Sequence, residues 1–297
     1  MLFGKKNGTQ KRADFRKMLN SGKLLQFPGS YSPMVSMLIE QKGFDGVYIS
    51  GAVLANDLGL PDIGMTTLTE VVTRGAQIAR TTELPSFIDI DTGFGEPMSV
   101  VRTVQLLEEA GIAGCHLEDQ VNPKRCGHLD NKSIVPIEEM VRKVKAAADG
   151  KRDPNFILIA RTDARASEGL DAAIDRAKAY VDAGADMIFP EAMKDEKEFE
   201  TFRKAINVPM LANMTEFGKS KILDKKTLEG MGFNVVIYPV TTVRLAMKNV
   251  EDGLDIILRD GSQEAAIEMM QTRKRLYEVL RYEEYNTFDK SLFNFKV

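Results

Sequence analysis

Residues 100–118, VVRTVQLLEEAGIAGCHLE, carry the pattern on which the architecture turns. Val100 to Ala110 places apolar side chains at helical spacing, Gly111 offers the left-handed backbone that closes a helix, and Gly114 to Glu118 is a short run suited to a buried strand. The same punctuation returns at Asp182 to Asp186 (DAGAD), between helical Leu170 to Ala183 and the apolar run Met187 to Phe189. Outward from these two units the alternation continues. Leu24 to Phe27, Gly46 to Ile49, Ser86 to Ile90, Phe156 to Ala160, Met210 to Ala212 and Val235 to Tyr238 read as further strands, with Ile137 to Ala148 and Val243 to Asn249 among the helices. Eight strands, each followed by helical sequence, predict an α/β fold, a (β/α)8 TIM barrel, over an open doubly wound sheet.

The length of 297 residues suits one barrel of about 250 residues with additions, so a single domain over residues 1–297 is expected, C-terminal helices included. Gln10 to Leu19 predicts an extra helix across the lower end of the barrel. Gln263 to Tyr285 reads as one long helix packed outside the barrel or on another subunit. A hydrophobic share of 43% with 28% charged residues excludes a disordered or disulfide-framed chain. The net charge of -3 leaves no basic face for nucleic acid, and no apolar run is long enough to span a membrane. The opening MLFGKKNGTQKRADF has no apolar secretory core, so a cytoplasmic location is expected. In that reducing setting Cys115 and Cys126 are expected as thiols, buried and inert or chemically active.

A barrel of this kind works at the C-terminal ends of its strands, and those ends are polar here. DIDTGFG places Asp89 and Asp91 two apart, on one face if the strand continues. Two carboxylates in one place suit Mg²⁺, with Mn²⁺ as the alternative; the plainer reading is that one Asp caps the next helix. The fourth unit runs into CHLEDQVNPKRCGHLDNK, longer than the usual βα loop of about two to six residues. Within it Cys126 is flanked by Lys124, Arg125 and His128, positive neighbours that ease thiol ionisation. That suits a proton donor or nucleophile; a chance cysteine in a surface loop is the alternative. Zinc on Cys115, His116, Cys126 and His128 is disfavoured, because adjacent strand residues point to opposite faces. Arg161 ends the fifth strand with a fork suited to a carboxylate, or to a salt bridge with Asp163 or Glu191. Glu191, Asn213, Met214, Thr215 and Arg244 follow at or near the later strand ends.

Lys124-Arg125-Cys126-Gly127-His128, with the DIDTGFG run, the RTDA run from Arg161 and FPEA from Phe189, resembles the isocitrate lyase and phosphoenolpyruvate mutase superfamily. The likeness runs from Tyr48 to Arg273 and is strongest to the branch that acts on 2-methylisocitrate. It implies cleavage of that tricarboxylate to pyruvate and succinate, in propionate breakdown through methylcitrate. It also implies a barrel whose eighth helix is exchanged between subunits of a homotetramer built as paired dimers. Asp89 and Asp91 would then anchor Mg²⁺ with Glu118 in the outer shell, and Cys126 would protonate the succinate carbanion. Substrate binding would fall to Ser50, Gly51, Ala52, Cys126, Gly127, Arg161, Glu191, Asn213, Met214, Thr215, Arg244 and Arg273. Ala52 departs from a glycine at that place in relatives. Tyr48 and Asp62 are the two candidates for the base. Isocitrate lyases share a similar cysteine loop but are longer and tend to carry Trp where this chain has Phe189, while mutases and oxaloacetate hydrolases lack the cysteine loop. A barrel that binds without catalysis is the reading from a different class.

Overall fold

The computed structural model describes residues 4–127 and 132–293. His128, a flank of Cys126 and one of the zinc ligands weighed above, therefore lies outside the described residues. Eight strands form: β1 (Leu25–Pro28), β2 (Val47–Ile49), β3 (Ser86–Asp89), β4 (Gly114–Glu118), β5 (Ile157–Thr162), β6 (Met187–Pro190), β7 (Leu211–Asn213) and β8 (Val235–Tyr238). They pair in parallel as β2-β3-β4-β5-β6 and as β1-β8-β7. Parallel bridges from Gly29 to Tyr48 and from Ile188 to Met210 join the two ladders and close the ring. The expected turns are also present, with Gly111 at φ 79° and Gly184 at φ 108°.

Strand alternation sorts the apolar residues into two layers. Phe27, Phe87, Ile157, Ile159, Met187, Leu211, Val235 and Ile237 fill the lumen. Their neighbours, such as Ile88, Leu117, Leu158, Ile188 and Val236, pack outward beneath the helices. With both faces covered, the strands read as nearly continuous apolar runs. The N-terminal helix Gly8–Leu19 starts at a capping box in which Asn7 and Gln10 each accept from the other's backbone N–H. It delivers Phe15 into the lumen, with ring centroids 5.1 Å from Phe27 and 6.0 Å from Phe87. The lower end of the barrel is thus plugged as anticipated.

The C-terminal region differs from expectation. The helix over Val243 to Asn249 extends to Thr241–Asp260, ending at Gly261 in the left-handed conformation. None of its residues is buried, and Leu245, Met247, Val250, Leu254, Ile257 and Leu258 are exposed along it. The single helix expected over Gln263 to Tyr285 is broken into a 3-10 segment Glu264–Met269 and helices Arg273–Val279 and Tyr282–Phe293. Thr272 starts the second piece by accepting from Arg275 N at 3.1 Å, and Arg281 separates the last two at φ 57°. Tertiary anchoring accompanies the breaks: Arg275 and Arg281 bond to Gln41 and Glu40 at the end of the helix Pro33–Gln41, at 2.9 and 3.3 Å. Among the described residues no helix is long and apolar enough to cross a membrane.

Candidate active site

The polar residues converge at the C-terminal mouth of the barrel. Tyr48, Ser50, Ala52, Asp62, Asp89, Cys126, Gly127, Arg161, Glu191, Asn213 and Thr215, all singled out from sequence, line one cavity of about 60 Å³ together with Lys124 and Phe189. Gly51 lies beside both aspartates, since a Cβ there would be 2.9 Å from Asp89 Oδ2 and 3.2 Å from Asp91 Oδ1. Only a glycine admits both carboxylates so near the backbone. Its N–H donates to Asp89 Oδ2 at 3.2 Å.

Asp89 and Asp91 do come together, for a different reason than strand alternation. The strand ends at Asp89, and Asp91 sits in a turn at φ 48°, an uncommon conformation for a non-glycine residue and one found at functional sites. Asp91 N donates to Asp89 Oδ1 at 3.0 Å, which folds the second carboxylate back over the first. Burial pushes the Asp91 carboxyl up to about 6, against the pull of Lys124. Burial also works against ionised Asp89, yet His116, Lys124 and Arg161 hold its carboxyl below the usual range. Burial drives Glu118 well above it.

Cations are interleaved with these acids. Arg161 lies 2.8 Å from Asp163, 3.2 Å from Glu118 and 3.1 Å from Glu191, and stacks over Phe189. The salt bridges weighed as the plainer reading of Arg161 therefore exist inside the site. Lys124, expected beside the thiol, turns instead to Asp62 and to Asp91, the latter at 2.8 Å. Six carboxyl groups (Asp62, Asp89, Asp91, Glu118, Asp163, Glu191) thus face three cations (Lys124, Lys132, Arg161). Asp91 Oδ1 and both oxygens of Glu118 are buried without a hydrogen bond, their cationic neighbours standing near but not aligned. Buried oxygens left in this state invite a further cation. Among the described residues no three His, Cys, Asp or Glu side chains converge to grip an ion by themselves. Mg²⁺ does not require that, since it is commonly held by one or two carboxylates and keeps several waters. The donor set fits a hard divalent cation on Asp89 and Asp91, with Glu118 behind.

His116 was weighed from sequence only as a zinc ligand. On β4 it shares the lumen face with Glu118, and its Nε2 lies 2.8 Å from Tyr48 Oη. Its ring stacks on Tyr48 and meets Phe189 edge-on. Burial lowers its pKa to about 4, so the imidazole is neutral near pH 7 and can accept from the phenol. Burial raises the Tyr48 phenol well above its ordinary value. The alternation that links residues 116 and 118 would have located His116. Cys115 points into the outer apolar layer, where burial raises its thiol, and no disulfide joins it to Cys126.

Cys126 is half-buried at the cavity wall. Gln120 clamps the approach to it, donating to Arg125 O and accepting from Arg125 N, both at 2.8 Å. Gly127 lies so close to the floor that a Cβ would be 2.3 Å from Arg161 Nη2 and 2.5 Å from Glu191 Cγ. Glu191 in turn accepts from Asn213 Nδ2 at 3.3 Å.

Three expected substrate contacts stand apart from the cavity. Met214 falls between Asn213 and Thr215, so its side chain faces the outer layer, where Sδ accepts from Leu223 N at 3.1 Å. Arg244 is exposed on the helix Thr241–Asp260, bonded to Glu216 at 2.6 and 3.0 Å and stacked over Phe217. Arg273 is exposed at the start of a helix that packs on Pro33–Gln41.

Residues 15–258 match the family model described as phosphoenolpyruvate phosphomutase. A Corynebacterium glutamicum protein named "Probable 2-methylisocitrate lyase 1" is 57% identical over 97% of this chain and 94% of its own. The Bacillus subtilis 2-methylisocitrate lyase is 46% identical over 94% and 92%. Among solved structures, phosphonopyruvate hydrolase in complex with oxalate and Mg²⁺ superposes with a TM-score of 0.86 at 29% identity, over 94% of this chain and 98% of that one. With most of its length matched by the family model and its barrel mouth built of these groups, the chain belongs to the phosphoenolpyruvate phosphomutase family.

Proposed function

We propose that this protein is a Mg²⁺-dependent carbon–carbon lyase that splits 2-methylisocitrate into pyruvate and succinate, the step that propionate breakdown through methylcitrate requires. The observation that carries this reading is the close approach of Gly127 to Arg161 and Glu191, which brings Cys126 into the wall of the cavity that Asp89 also lines. The names of the two bacterial relatives, similar along nearly their whole lengths, support it.

The chemistry breaks one bond between carbons and moves two protons. The substrate hydroxyl loses its proton, the electron pair of the breaking bond passes to the succinate half, and that carbon takes a proton. Tyr48 suits the first task better than Asp62, whose carboxylate Lys124 engages. As the phenol oxygen receives the hydroxyl proton, its own proton moves to His116 Nε2 along the 2.8 Å contact. Asp89 and Asp91 would hold Mg²⁺, with Glu118 behind them; when bound, the ion supplies Lewis-acid stabilisation of charge on the substrate's hydroxyl and carboxylate oxygens. Arg161 presents its guanidinium to a carboxylate of the substrate, helped by Asn213, Thr215 and the backbone at Ser50 to Ala52. The Cys126 thiol gives its proton to the succinate carbanion, while Gly127 keeps the backbone low enough for the sulfur to approach. Phe189 forms part of the wall and leaves room for the extra methyl, which discriminates by only about 1–3 kcal/mol; slower turnover of isocitrate is expected.

The exposed apolar side of Thr241–Asp260 supports exchange of this helix between subunits of a homotetramer, which would also bring Arg244 and Arg273 of one copy nearer another's cavity. A cytoplasmic location accompanies the reading. In the deciding assay, purified protein with Mg²⁺ releases pyruvate from 2-methylisocitrate and stops on addition of EDTA. Cys126→Ser is expected to lower turnover by about 10²- to 10⁴-fold with an unchanged melting temperature. Ligand binding without turnover by the unmodified protein would instead favour a non-catalytic barrel.

A further inference from the structure

Lys132 is assigned no task by the chemistry above, yet its side chain is only 3% exposed. A lysine is seldom placed so deep unless its charge is matched. Here the ammonium bonds to Asp163 Oδ1 at 2.8 Å and also donates to the carbonyl oxygen of Gly127. Asp163 is shared: Arg161 Nε donates to its Oδ2 at 2.8 Å and Nη2 to its Oδ1 at 3.2 Å. The carboxylate is fixed from behind, because Asp163 N donates to Asp119 Oδ1 at 2.8 Å and Asp119 also accepts from Thr162 and Tyr180. An anchor just past the end of β5 therefore reaches, through one ammonium, the peptide that follows Cys126.

The upstream side of the same dipeptide is clamped by the Gln120–Arg125 pair. Lys132 thus ties the Gly127 carbonyl on the downstream side of the thiol to the barrel, opposite the Gln120 clamp on the upstream side. We propose that Lys132 is a positioning residue: braced by Asp163, it fixes the Gly127 carbonyl and so holds the Cys126 thiol at the wall of the cavity that Arg161 and Glu191 line. The benefit for catalysis rests on the reading of Cys126 as proton donor, but the positional effect does not.

Alkylation by iodoacetamide separates the two. Cys115 is fully buried, so the modification rate reports Cys126. In Lys132→Met the rate is expected to rise about tenfold, turnover to fall by up to about 100-fold with KM changed little, and Lys132→Arg to recover part of both. A merely structural lysine would lower the melting temperature and leave the alkylation rate of the folded fraction unchanged, which would overturn the proposal. Should Lys132→Met fail to fold, Lys132→Gln keeps a donor for the carbonyl without the charge that Asp163 holds; faster alkylation supports the proposal and an unchanged rate overturns it. Full turnover by Cys126→Ser would sink the proton-donor reading while leaving the alkylation contrast to decide on Lys132.

Discussion

The two ends of the barrel lumen are built on the same alternation and serve opposite ends. At the floor, Phe15, Phe27 and Phe87 meet ring to ring and are fully buried. At the mouth, the inward positions one or two steps along carry Asp89, Glu118, Arg161 and Asn213. The floor gains free energy from removing apolar surface from water, at about 25 cal/mol per Å². The mouth gives some of it up, since Asp91 and Glu118 bury carboxyl oxygens there that have cations close by but make no hydrogen bond. One end therefore stabilises the fold and the other spends stability on chemistry, so substitutions at the two ends should separate folding from activity.

The largest expected effect is at the floor. Phe15→Ala should lower unfolding free energy by about 3–5 kcal/mol in denaturant titration, while the folded fraction keeps its KM; a comparable loss of turnover per folded molecule would break the division. At the mouth the sign reverses. Glu118→Gln removes a buried carboxyl whose ionisation burial opposes and whose oxygens make no hydrogen bond, and Arg161 keeps Asp163 and Glu191. The metal-free variant should be more stable by about 1 kcal/mol, with a smaller rise in melting temperature on adding Mg²⁺ than the parent shows. Destabilisation of the metal-free form would remove the claim that the mouth is strained. The smallest effect belongs to the edge of the floor: Asn7→Ala deletes half of the capping box and should cost about 1 kcal/mol, with no change in Mg²⁺ response. A change in that response would mean that the two ends are coupled.

Much of the barrel was legible because its signals are local. The runs at Gly114 to Glu118 and Val235 to Tyr238 have the same bounds in the structure as in the sequence reading, and the remaining strands shift by a residue or two. Ends moved where polar residues continue a strand, as at Arg161 and Thr162 on β5. The C-terminal region was misjudged because helical periodicity runs through Gln263 to Tyr285, whereas the breaks accompany contacts with Glu40 and Gln41, more than two hundred positions away. In the site, Asp89, Arg161, Glu191 and Asn213 were legible as chemically distinctive residues at or just past a strand end and Cys126 as a thiol among cations in the long loop after β4, whereas Tyr48 and Asp62 came only from the family resemblance. Met214 was swept in with its neighbours although alternation turns it outward. Lys132 offered no signal, since its partner Asp163 is 31 positions distant and both look like ordinary surface charges in the sequence.

By itself the amino-acid order determined the repeating unit, the strands and the kinds of group that crowd their C-terminal ends, because hydrophobic period and turn residues act over a few positions. Only the folded chain decided which charges neutralise one another: Lys124 goes to Asp62 and Asp91 rather than to the thiol beside it, and Arg161 is shared among three carboxylates. Electrostatic partnership depends on distance in space and on burial, and neither is written in the spacing along the chain.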